Sequence, residues 1–129
     1  MKGDERDTLT ELMSAFNELK KRYPNTLFIV LSQLNRNIEK EERKKGFGPE
    51  RILHFPQKSD IFGSESLFQF SDAVIVFHRP ELLGLEAYGP KGLPVQGIIY
   101  CHHLKARDGI PRITRFENKL SINTLKEII

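Results

Sequence analysis

Lys105 and Arg107 stand two residues apart, just ahead of the Asp108-Gly109 turn signal. On a β-strand a spacing of two sends both side chains to one face, so the pair would project forward near a hairpin tip. Cations held that way can reach a neighbouring subunit and stabilise charge on a transferring phosphoryl group. A solvated tip that blunts edge-to-edge aggregation is the plainer reading of the same residues. Gln33 is a second candidate, in the run Ser32-Gln33-Leu34-Asn35-Arg36 that follows the apolar stretch Leu27–Leu31. In open α/β sheets ligands gather beyond the carboxyl ends of strands. A neutral amide there can sense a phosphate oxygen or orient a water without adding fixed charge. The alternative is that Gln33 and Asn35 only tie down a loop.

The segment from Ile38 to Lys58 carries Lys40, Lys45, Arg51 and Lys58 among almost as many acids, a pattern that usually marks a solvated surface. Phe47, Phe55 and Arg51 would add stacking to phosphate contacts if the segment faces single-stranded nucleic acid. Cys101-His102-His103 does not predict a metal site, because adjacent strand residues point to opposite faces and no second ligand cluster stands elsewhere. No Gly-x-x-x-x-Gly-Lys-Ser/Thr loop is present, and no apolar strand ends in an acid suited to magnesium. The chain by itself is therefore expected to hydrolyse no ATP.

These residues need elements to position them. Leu9, Leu12, Met13, Phe16 and Leu19 recur at helical period after a Thr8/Glu11 capping-box spacing and stop at Tyr23-Pro24, which predicts an amphipathic helix. Leu27–Leu31 predicts a strand covered on both faces, as in a parallel sheet. A mobile loop is expected from Ile38 to Lys58. A short helix is expected within Ser59–Ser71, and a second buried strand over Ala73–Phe77. Val95–Lys105 and Pro111–Glu117 predict a hairpin around Arg107-Asp108-Gly109. Leu120–Ile129 predicts a tail or short helix.

At 129 residues the chain allows one domain or a piece of one. Its 39% apolar and 29% charged composition is that of an ordinary globular protein. No signal-peptide or membrane-length apolar run is present, and a lone cysteine fits a reducing, cytoplasmic setting. A net charge of +3 permits nucleic acid without requiring it.

Three motifs in order give the chain a resemblance to the C-terminal part of the motor domain of DnaB-type replicative helicases, over residues 1–129 as a single partial domain. Leu27 to Arg36 looks like that family's strand plus Ser-Gln-Leu-Asn-Arg. Ser59-Asp60 through Ser64, Gln69 and Asp72 follows its Ser-Asp-Leu-Arg-Glu-Ser-Gly segment and the Glu-Gln-Asp-Ala-Asp beyond it. Lys105-Ala106-Arg107-Asp108-Gly109 fits its Lys-x-Arg-x-Gly element. Phe62, Gly63 and Glu65 depart from the pattern, standing where the family has arginine, glutamate and glycine.

The resemblance implies an α/β fold, the C-terminal half of a RecA-like P-loop NTPase sheet with a β-hairpin at one edge. It implies that Gln33 senses the γ-phosphate and that Lys105 and Arg107 reach into the adjacent subunit's ATP site. Lys40, Lys45, Arg51, Lys58, Ser64 and Gln69 would line a channel for single-stranded DNA. ATP and Mg2+ would serve a complete parent protein, the phosphate loop lying upstream of Met1, while the fragment would bind neither. The parent would be a ring, six subunits being expected, that couples hydrolysis to translocation and unwinding, with primase or a helicase loader as further partners. A self-standing nucleic-acid-binding module and a recombinase-like or clock-type regulatory ATPase are the competing readings.

Overall fold

The computed structural model describes residues 2–106, 109 and 112–129. Helix α1 spans Lys2–Arg22, and the short helices α2 and α3 span Glu41–Lys44 and Ser64–Phe70. Strands β1 (Ala73–His78), β2 (Ile98–Ala106), β3 (Ile113–Lys119) and β4 (Thr124–Ile128) follow. They form one four-stranded sheet in the order β1-β2-β3-β4, every neighbour antiparallel. The chain is thus α/β, with its described α-helices in the first 70 residues and its described strands after them, together with two short 3-10 turns at Pro80–Leu83 and Leu120–Ile122. None of the described helices is long and apolar enough to cross a membrane.

The apolar period of α1 sets its buried stripe. Met13 is 4% exposed and joins Ile61, Leu67 and Val76, with Leu9 and Phe16 packed beside them. Burying a side chain of that size contributes about 1.5–3 kcal/mol. At the far end of the helix, Lys20 Nζ donates to the Phe70 carbonyl at 3.2 Å and to Asp72 Oδ2 at 3.0 Å, which clamps α1 to the exit of α3. A second cluster joins Tyr88 and Val95 of the 80–95 connection to Ile98 and Tyr100 of β2, with Phe55 and Ile128 against it. Alternation along β1 and β2 turns Val76, His78, Tyr100 and His102 to one face, since Val76 pairs with His102 and His78 with Tyr100.

Several expectations need correcting. Leu27–Leu31 forms no strand, and Leu27 and Leu31 are 82% and 90% exposed. Its β-propensity is intact, but among the described residues its ladder contact is limited to the single Leu34–Ile61 bridge just beyond it, and Phe28 alone of the run is half-buried, against Phe16 of α1 at 5.4 Å between ring centroids. The sheet is antiparallel where that run suggested a parallel one. β2 and β3 pair as a hairpin would, yet they occupy the middle of the sheet rather than an edge, because β4 adds outside β3. That last strand replaces the expected tail or helix: Asn123, at φ 51, turns the chain so that Arg115 faces Ile128. Helix α1 starts before Thr8, which therefore lies within the helix rather than capping it.

Candidate functional site

The Ile38–Lys58 stretch, expected as a mobile loop, is a set of short helical turns organised by one ion pair. Arg43 donates from Nη1 to Asp60 Oδ1 at 2.5 Å and from Nη2 to Oδ2 at 2.9 Å. It also donates to the carbonyls of Leu53 and Phe55, each at 2.9 Å. Asp60 is wholly buried and accepts a further bond from the Gln57 amide at 2.7 Å. A bidentate guanidinium that also binds two carbonyls fixes α2 against the 48–54 turn with the polar groups matched.

That scaffold shapes a cavity of about 550 Å3 between residues 41–54 and the 83–87 segment. Lys45, Phe47 and Arg51 line it, with His54 deeper in the wall. Phe47 is 81% exposed, and the Arg51 guanidinium carbon lies 5.9 Å from its ring centroid. Lys44, also in the lining, is held by Glu41 at 3.3 Å. Burial holds the His54 imidazole below its usual pKa, with a backbone interaction at Lys44 opposing the effect and Arg51 adding to it, so this one group of the wall is held towards its neutral form. An exposed aromatic face beside two cations can stack a planar group and hold an anion next to it.

The other candidates are dispersed. Lys40 is exposed at the start of α2 and does not line the cavity. Lys58 belongs to a separate patch, 3.6 Å from Glu65 and 5.4 Å from the Phe68 ring centroid. Ser64 opens α3, but its side chain lies outside the described set, and Gln69 is exposed on the same helix. Gln33 is exposed, and its carbonyl accepts from the Phe62 amide at 3.2 Å. Asn35 does tie down a loop: its amide donates to the Ser59 carbonyl at 2.8 Å and its oxygen caps Asn37 at 2.9 Å. Lys105 reaches back to the Phe68 carbonyl at the end of α3 rather than forward from a tip. Arg107 lies outside the described residues.

A polar cluster that sequence reasoning missed sits beneath the sheet. The Tyr88 hydroxyl lies 2.6 Å from His78 Nδ1 and 2.8 Å from His102 Nε2, with all three side chains buried. Burial lowers His78 to about 4 and His102 to about 3, and it drives the Tyr88 phenol far above its ordinary value. Both imidazoles are therefore held neutral near pH 7. Cys101 and His103 point to the opposite face, with Sγ 3.8 Å from Nε2. Burial pushes the Cys101 thiol up, away from the reactive thiolate. No group of three or more histidine, cysteine or acidic side chains suited to a metal occurs among the described residues.

Compared with family models, with curated proteins and with solved structures, the chain finds no match in any of the three.

Proposed function

We propose that this chain is a single-stranded nucleic-acid contact element, the C-terminal part of a DnaB-type helicase motor whose sheet is the distal portion of a RecA-like fold. The observation that carries the binding role is the meeting of Lys45, Arg51 and the exposed Phe47 ring around one cavity. The motor assignment rests on the three motifs, and with it come ATP, Mg2+, a cytoplasmic ring of six subunits and a primase or loader as proposals. Arg107 keeps its proposed role across the subunit boundary. For Lys105 the internal bond to α3 favours bracing β2 over contacting phosphate.

Fluorescence anisotropy with an oligothymidylate tests the binding role directly. Affinity should fall steeply between about 50 and 200 mM salt. Replacing Lys45 and Arg51 with alanine should flatten the log–log salt slope by about 1.4, at about 0.7 per cation removed from a single-strand contact. An unchanged slope and affinity in that variant would remove the support for this cavity as the contact.

The self-standing binding module stays as a second reading, because a cavity that brings Lys45 and Arg51 to an exposed aromatic ring works without any ATP machinery. Neither reading expects the isolated chain to turn over ATP above background, and ordinary enzyme rates from pure protein would overturn both.

A further inference from the structure

We infer that the nucleic-acid contact continues into a second cavity, where a base rests against Leu93 and Ile113 and the neighbouring phosphates are held by Lys91 and Arg115. This extension rests on the binding role proposed above. The second cavity measures about 310 Å3 and is lined by Phe55, Pro90, Lys91, Leu93, Ile113 and Arg115. Four of those residues are apolar and the other two are cations, whereas the first cavity has Glu41 and Glu86 in its wall. An apolar slot of about 300 Å3 or more whose charged lining, among the described residues, is Lys91 and Arg115 suits a planar base joined to phosphates.

The two cavities flank a single turn. Tyr88 and Leu93 exchange backbone hydrogen bonds of 2.8 Å in each direction, and the Gly92 amide closes the turn onto the Gly89 carbonyl at 3.1 Å. Arg51, from the first cavity, lies beside Gly92, where a Cβ would meet its Nη1 at 3.5 Å. Phe55, from the second, packs against Gly89. A strand crossing this turn therefore passes from Lys45 and Arg51 to Lys91 and then to Arg115 on β3. Arg115 faces Tyr100 across the ladder, so a rigid sheet sets its position.

The test uses the full chain, twelve-residue oligothymidylate, an abasic sugar-phosphate strand of the same length, thymidine monophosphate and inorganic phosphate. Lys91→Ala/Arg115→Ala should weaken oligothymidylate binding by about fivefold or more. Ile113→Ser should reduce the preference for oligothymidylate over the abasic strand by about threefold or more, leaving the part carried by Phe47. Circular dichroism and thermal melting check that each variant is folded, and Lys91→Glu, at an exposed site, repeats the charge test without touching the sheet. Wild-type affinity in Lys91→Glu and in the Lys91/Arg115 pair would overturn the extension. If the Lys45/Arg51 pair still weakened binding, the first cavity would stand alone. Loss of binding in the Lys91/Arg115 pair, with Lys45/Arg51→Ala unaffected, would support the second cavity and remove the first. Binding of thymidine monophosphate or phosphate as tight as that of the strand would overturn the extension in favour of a small anion site, and a wild-type chain that bound no strand would overturn both.

Discussion

The guanidinium of Arg43 forks onto the carboxylate of Asp60, two charges 17 residues apart that meet where the aspartate is wholly buried. Everything proposed to touch nucleic acid in the first cavity is held by that pair, because α2 and the 48–54 turn converge on it. Removing one partner leaves the other charge uncompensated in a poorly solvated place, which typically costs about 3–5 kcal/mol. Arg43→Ala should lower the urea midpoint accordingly and weaken strand binding, although Arg43 makes no proposed contact with the strand. A midpoint within experimental error of wild type would show the pair to be incidental.

Acid should act through the imidazoles that share the Tyr88 hydroxyl. Their folded values of about 4 for His78 and about 3 for His102 lie below the unfolded value of 6.5, so the unfolded chain takes up protons first as pH falls. Their contribution is nearly complete above about pH 6.5 and is lost as pH drops from there towards 4 for His78 and towards 3 for His102, at no more than about 1.4 kcal/mol per pH unit for each imidazole. Urea midpoints measured from pH 7 to pH 5 should fall, and a His102→Gln variant should show a shallower fall over the same range. A flat profile would show that neither group is held neutral.

How much of this was legible in the chain depends on whether a residue's partner lies in its own pattern. The stripe of Leu9, Met13 and Phe16 marked α1 correctly, and Ala73–Phe77 falls one residue short of β1. The paired strands β2 and β3 were also readable, from alternation and the Asp-Gly signal, although their ends shift by up to three residues. Leu27–Leu31 misled because apolar composition reports a need for cover, not its presence. The order within 38–58 was hidden because Arg43 and Asp60 are distant in sequence and each looks like one more surface charge. Lys45, Phe47 and Arg51 were named from type alone, whereas Lys91 and Arg115 were missed because their meeting depends on a turn closing over β3.

The exposed run offers a sharp contrast with the core. Leu31 is 90% exposed, so Leu31→Asp should change stability by less than about 0.5 kcal/mol. Met13 is 4% exposed in the α1 contact, and Met13→Ala should cost about 2–5 kcal/mol. Chemical denaturation of the two variants side by side distinguishes this arrangement from one in which Leu27–Leu31 is a central strand. In that alternative the aspartate would be the more damaging change.

Gly63 stands where the backbone and a neighbouring helix leave no room for a side chain. It precedes α3 at φ 70, and Leu9 of α1 occupies the place where its Cβ would be. A side chain at 63 thus meets two separate penalties, the left-handed backbone and the Leu9 side chain. Gly63→Ala should cost about 1–3 kcal/mol. Leu9→Ala makes room without relaxing the backbone, so the double variant should be less destabilised than the sum of the single ones, by about 0.5 kcal/mol or more. Urea midpoints of the four proteins in that cycle measure the coupling. Strict additivity would mean that α1 does not press on Gly63, and the docking of α1 against the start of α3 would have to be redrawn.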